Sequence, residues 1–214
     1  MNPVKQELKT EFQLERIIFF SDAVFAIAIT LLIIEVHVPQ VTVDTNASLL
    51  VAIGTILPDL FGFVTSFFLI ACFWHQHHSI FGYAEGFDAG LIWLNLGFLF
   101  FIVLIPFTTS LMGPYGNLLV ATTLYSINII CAGLLNMLLL RHLVRSPKKL
   151  SAGLENRRLL KGFYIFLLAI PVWILVCWLV GLLTVPGIGD FCLFGLAFVI
   201  PFSKKLGQRA ENSK

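Results

Sequence analysis

Apolar residues run almost unbroken through six stretches of the chain, at about 17–38, 49–74, 90–111, 117–140, 162–184 and 189–203. About 20 consecutive apolar residues cross the hydrocarbon core of a bilayer, so each stretch predicts a membrane-spanning helix. The sixth is the shortest, and Asp190 and Pro201 interrupt it. Outer-membrane strands would alternate apolar and polar positions in segments of about ten residues, and no such alternation is present. The pattern predicts an all-α integral membrane protein, one domain over residues 1–214 with six transmembrane helices. The polar stretches left between them are the segment 75–89, the basic loop 141–161 and the tail from Lys204.

Composition agrees with the pattern. Hydrophobic residues make up 58% of the 214 and charged residues 12%, with a mean hydropathy of +0.91. A soluble domain is about 25% charged, so a single water-soluble core is excluded. Cys72, Cys131, Cys177 and Cys192 all fall inside apolar runs without paired spacing. They predict neither a disulfide framework nor a zinc site. The first apolar run is too long for a signal-peptide core and lacks a small-residue cleavage site.

The placement of charge orients the chain. With six spans, the N-terminus, the segment 75–89, the basic loop and the C-terminus share one side. All fourteen Lys and Arg then lie on that side, which the positive-inside rule makes cytoplasmic. The loop "RHLVRSPKKLSAGLENRRLLK" reads as a topology signal with some attraction to anionic membrane lipids. It does not call for a nucleic-acid partner.

A few polar groups interrupt the apolar pattern. Asp22 sits about one turn inside the first span, beside Ser21 and six residues after Arg16. An ionisable group there requires a partner or a water-filled cavity. Six residues separate Arg16 from Asp22 by about 9 Å along a helix, so a direct pair within one helix is awkward. Neighbouring helices are the better partners, in a fixed packing network or as a carboxylate that meets ions. "FWHQHHSIF" carries Trp74, His75, His77 and His78 at the cytoplasmic end of the second span. Its spacing matches no closed zinc pattern, and no metal or other cofactor is expected. These histidines are partners for Asp22 or anchors at the interface. Glu35, Asp44, Asp59 and Asp190 lie near the outer ends of spans. No phosphate-binding loop, nucleophile elbow or metalloprotease motif occurs, and the reading is not an enzyme.

At helical spacing, Ala23, Ile27, Leu31 and Ile34 form one stripe of the first helix, with Thr30 on its shoulder. In a lone protein such a stripe is core. Around a symmetry axis it would form aliphatic rings, a hydrophobic constriction that can gate by dewetting.

The stretch "RIIFFSDAVFAIAITLLIIEV" resembles the first helix of the transmembrane protein 175 family of potassium channels. That family's signature is an Arg, three residues, then Phe-Ser-Asp, present as Arg16, Phe20, Ser21 and Asp22. The similarity continues through "FWHQHHSIF" and "WLNLGFLFFIVLIPFTTSL", and becomes one of hydropathy alone in the second half. The resemblance implies a single-repeat prokaryotic member, similar to one half of the two-repeat animal channel. It implies a homotetramer in the prokaryotic inner membrane, both termini cytoplasmic, with the first helix of each subunit lining a central pore. Ile27 would form the narrowest ring, Leu31 and Ile34 further rings, with Thr30 offering hydroxyls in some states. Arg16, Phe20, Ser21 and Asp22 would anchor the helix, joined by Trp74 and His77. The expected function is passage of potassium, in preference to other monovalent cations. The rival readings are a proton-coupled secondary transporter using Asp22 and the His75–His78 cluster, and a non-conducting membrane scaffold or membrane enzyme.

Overall fold

A computed structural model describes residues 3–41, 45–154 and 156–184, with side chains from residue 10 onward. Within these residues the chain is all helical: α1 (Pro3–Ile34), α2 (Asn46–Thr55), α3 (Leu57–Phe81), α4 (Ala89–Ser110), α5 (Met112–Tyr115), α6 (Leu119–Arg145) and α7 (Arg157–Leu183). Five of them are long and apolar enough to cross a membrane: Thr10–Ile34 of α1, then α3, α4, α6 and α7. The sixth predicted span, 189–203, lies outside the described residues, as do Asp44, Asp190 and Cys192.

The second span differs from its hydropathy boundaries. The stretch 49–74 divides at Ile56 into α2, of ten residues, and α3. Ten residues reach only about 15 Å, half the hydrocarbon thickness. Pro58 stands in the first turn of α3, where its missing N–H costs no hydrogen bond, and so favours a new helix start there. At the other end, α3 does not stop at 74. It continues through Gln76, His77 and His78 to Phe81, because Gln76 and His77 are buried and bonded inside the bundle. Hydropathy scores these side chains as a terminus, whereas packing makes them core.

Side-chain caps set several helix starts. Asp88 Oδ1 accepts the Leu91 N–H at 2.8 Å at the start of α4, and Asn156 Oδ1 accepts the Arg158 N–H at 2.9 Å at the start of α7. Both satisfy donors that a helix N-terminus leaves without partners.

α6 packs between α4 and α7, and α1 lies against α3 and α4. The buried core runs continuously from Phe25, Ala28 and Leu32 through Ile70, Phe73, Phe98 and Ile102 to Ile129, Leu139, Leu167 and Ile170. Small residues permit close crossings, as expected where lipid supplies no hydrophobic drive for helix association. A Cβ on Gly133 of α6 would stand 2.9 Å from Pro171 Cγ of α7, so glycine sets that approach.

Candidate functional site

α1 presents two unlike faces. Ser21, Phe25, Ala28 and Leu32 are buried against α3 and α4. The stripe on the other side is not: Ala23 and Thr30 are exposed, and Ile27, Leu31 and Ile34 are 57%, 38% and 67% exposed. Thr30 Oγ1 donates to Ile27 O at 2.9 Å, which satisfies the hydroxyl proton and leaves the oxygen facing outward. Nothing among the described residues covers this face.

The buried face is held by two polar contacts. In the first, Trp74 Nε1 of α3 donates to Asp22 Oδ1 at 2.8 Å. The Trp74 ring also stacks on His78, with centroids 5.4 Å apart. The second is a chain of three side chains. Ser21 Oγ donates to Ile17 O at 2.9 Å. Its one proton thus committed, it accepts from Asn95 Nδ2 of α4 at 2.9 Å. Asn95 Oδ1 therefore faces His77 Nε2 of α3 at 2.8 Å, and only an N–H there completes the set. The network places the imidazole proton on Nε2. Aromatic rings enclose the same imidazole: Phe98 stacks on it at 5.5 Å, while Phe25 and Phe81 lie at 5.6 and 4.4 Å.

Ser21, Asp22, Trp74 and His77 thus meet around α1, α3 and α4. Arg16 and Phe20 stand exposed on α1 and join neither set of bonds. Of the histidines near Asp22, none is its hydrogen-bond partner; the indole is. His75 packs edge-on against Phe166 of α7 and lies within 3.3 Å of the Ser79 hydroxyl.

Asn95 lies inside an apolar span, where an asparagine can bond across helices, and it does so here. Its amide has a donor and an acceptor on opposite sides, and bridging two helices uses both. Gln76 is similar. Gln76 Nε2 donates to Phe166 O at 2.8 Å, and its Oε1 accepts from Asn136 Nδ2 at 3.2 Å, which ties α3, α6 and α7 together. A third buried set joins Ser66, Tyr125 and Thr109. At the opposite end of α1, Glu35 and Asp59 share a cavity of about 500 Å³ with His37 and Tyr115. The Asp59 carboxylate occupies the place a side chain on Gly113 would need. Among the described residues no group of His, Cys, Asp and Glu could hold a metal ion.

Fold and site together define a multi-pass α-helical membrane protein whose first helix is anchored on one face and open on the other. Residues 16–106, which hold α1 from Arg16 onward, α2, α3 and most of α4, match the model of the family described as endosomal/lysosomal potassium channel TMEM175. The match covers less than half of the chain, which is similar there to a family of channels. A protein named potassium channel from Streptomyces collinus is 36% identical over 135 residues, 61% of this chain and 65% of that one. Another of that name, from Chamaesiphon minutus, is 38% identical over 100 residues, 47% and 49% of the two chains. The mouse endosomal/lysosomal proton channel TMEM175 is 34% identical over 87 residues, 38% of this chain and 17% of its own. In each case the match spans less than two thirds of the relative. The crystal structure of a lysosomal potassium-selective channel TMEM175 homologue from Chamaesiphon minutus superimposes with a TM-score of 0.69. It covers 92% of this chain and 98% of its own, at 24% identity. That likeness shows the fold.

Proposed function

We propose that the chain is a subunit of a homotetrameric, potassium-preferring cation channel in a prokaryotic inner membrane, with both termini cytoplasmic. The exposed stripe of α1 lines its axis. The observation that carries this reading is the division of α1. Its inner face is fixed by five buried or bonded side chains, while Ala23, Ile27, Thr30, Leu31 and Ile34 remain open along its length. The names of the bacterial relatives support potassium as the ion.

Four copies of the stripe would place rings of branched aliphatic side chains around the axis, with Ile27 the narrowest. Such rings supply no oxygen to replace an ion's hydration shell. Preference among monovalent cations then comes from pore width and partial dehydration, aided by the outward oxygen of Thr30. Ser21, Asp22, Trp74 and His77 act by setting the angle at which α1 meets that axis.

The test is potassium flux from purified protein in liposomes, with subunit number measured by native mass spectrometry. Ile27→Asn should raise conductance and weaken the preference for potassium over sodium. An unchanged current would remove Ile27 from the constriction. Saturable, proton-coupled uptake abolished by Asp22→Asn would replace the channel by the transporter.

A further inference from the structure

The loop between α6 and α7 is folded rather than slack. Its residue Ser151 forms an antiparallel bridge with Ala84 in the linker between α3 and α4. Leu150 O accepts the N–H groups of Glu85 and Gly86 at 2.9 and 3.3 Å, and Ala152 N donates to Tyr83 O at 3.2 Å. Leu150 and Leu154 are each only 3% exposed. The same loop is tied to the start of α4, where Asp88 lies 2.8 Å from His142 Nε2 and 3.5 Å from Ser146 Oγ.

This clasp fixes an array of positive charge. Residues 141–161 contain seven Lys and Arg and one acid, Glu155. Arg141, Arg145, Lys148, Lys149, Arg157 and Lys161 are all exposed. Lys149 has a φ of 50°, in the left-handed region that residues other than glycine and asparagine avoid. That turn directs Leu150 inward to its two N–H partners and leaves Lys148 and Lys149 outward. A flexible loop could display lysines without this strain, and strain held by surrounding contacts points to a use. Because α6 and α7 both cross the bilayer, the array lies at the depth of the lipid headgroups.

We propose that this clasp is a binding platform for anionic phospholipid headgroups. A phosphodiester meets several cations whose backbone is already ordered, so little conformational entropy opposes binding. Occupancy strengthens the clasp, and the clasp holds the α3–α4 linker. The two helices that carry Trp74, His77 and Asn95 are thereby coupled to the lipid composition of the cytoplasmic leaflet. The platform does not depend on the channel reading, and its test does not use flux.

The full-length protein in a neutral detergent is titrated with phosphatidylglycerol or phosphatidylcholine while thermal unfolding is followed, and retained lipid is counted by native mass spectrometry. Phosphatidylglycerol should raise the unfolding temperature and phosphatidylcholine should not. Lys148→Gln with Lys149→Gln should shift the half-saturating phosphatidylglycerol concentration upward about 25-fold, on the order of five-fold per charge. Lys149→Asn separates binding from folding, because asparagine accepts the left-handed turn. It should unfold at or above the wild-type temperature without lipid, yet respond more weakly to phosphatidylglycerol. Arg157→Gln with Lys161→Gln, on the other rim, provides the same reading if the lysine variants do not fold. An equal response to phosphatidylcholine, or an unaltered response in these variants, overturns the platform. Competition by inorganic phosphate at the lipid's concentration assigns the cations to free phosphate and overturns the lipid.

Discussion

The indole N–H of Trp74 donates to Asp22 Oδ1 at 2.8 Å, joining α1 to α3 across 52 residues of sequence. A hydrogen bond to a charged acceptor contributes about 1.5–3 kcal/mol when shielded. Trp74 is 40% exposed, which moves the expectation to the lower end. Trp74→Phe keeps the ring against His78 and removes only the N–H. We expect it to lower subunit stability by about 1–2 kcal/mol. Asp22→Asn, which keeps an acceptor oxygen, should lose less than Asp22→Ala. A double-mutant cycle on unfolding isolates the bond: coupling near zero between positions 22 and 74 would show that it does not hold α1.

The proton on His77 yields a sharper expectation. Its Nε2 must donate to Asn95 Oδ1, because Asn95 Nδ2 is committed to Ser21. Glutamine places an amide N–H about where Nε2 lies, whereas asparagine reaches only the Nδ1 position. His77→Gln should therefore retain more stability than His77→Asn. Asn95→Leu strands the acceptor oxygen of Ser21 and the N–H of His77 and should cost about 2–6 kcal/mol, about 1–3 for each buried group left without a partner. Thermal unfolding in detergent ranks the three variants. The order Asn above Gln at position 77 would place the proton on the other nitrogen.

How far these features could be read beforehand depended on the kind of interaction. Long apolar runs announce membrane helices, because lipid demands both length and internally satisfied backbone. α4, α6 and α7 therefore lie close to their hydropathy stretches. The second span did not, because Pro58 starts a helix without lowering hydropathy and because His77 is polar yet buried. Asp22 and Ser21 stood out as polar residues inside an apolar run that call for partners on neighbouring helices. Their partners did not stand out. Helical periodicity shows which side chains share a face, but not which neighbour a face meets. Asn95 looks like any asparagine in a helix until α1 and α3 are placed on either side of it. The resemblance pointed to Trp74 and His77, and only the fold supplies Asn95 between them. The same limit explains Arg16 and Phe20, which the signature groups with the anchor and the single chain leaves exposed.

The two faces of α1 should respond oppositely to truncation. Phe25 is 2% and Leu32 1% exposed, so alanine at either position leaves a cavity between α1 and its neighbours. Such losses cost about 2–5 kcal/mol in well-packed cores. Ile27 is 57% exposed, and Ile27→Ala should change subunit stability by less than about 0.5 kcal/mol. Flux should show the reverse, with the larger change in conductance for Ile27→Ala. The pair of measurements, unfolding and liposome flux on the same preparations, checks the assignment. A stripe that faces only lipid would leave flux unaltered as well.

The contact between Asp88 and His142 makes stability depend on acid in a definite direction. Burial alone would raise the Asp88 carboxyl, but the Leu91 N–H, the His142 ring and the Lys148 charge outweigh it and hold it below the ordinary carboxylate value. A group whose folded value is depressed stabilises the fold fully above its unfolded value. That contribution disappears as pH falls through the folded one. Acidification below the usual carboxylate range should therefore loosen the start of α4 and the loop clasped to it. The groups facing Asp88 are His142 and Ser146 from the α6 end and Lys148 from the loop. Asp88→Asn keeps a helix-capping oxygen for the Leu91 N–H and cannot titrate. It should unfold somewhat more easily at neutral pH and lose less on acidification than the wild type. Hydrogen exchange of residues 82–91 between pH 3 and 6 reads this locally, and parallel acid limbs in the two proteins would show that Asp88 is not the group responsible.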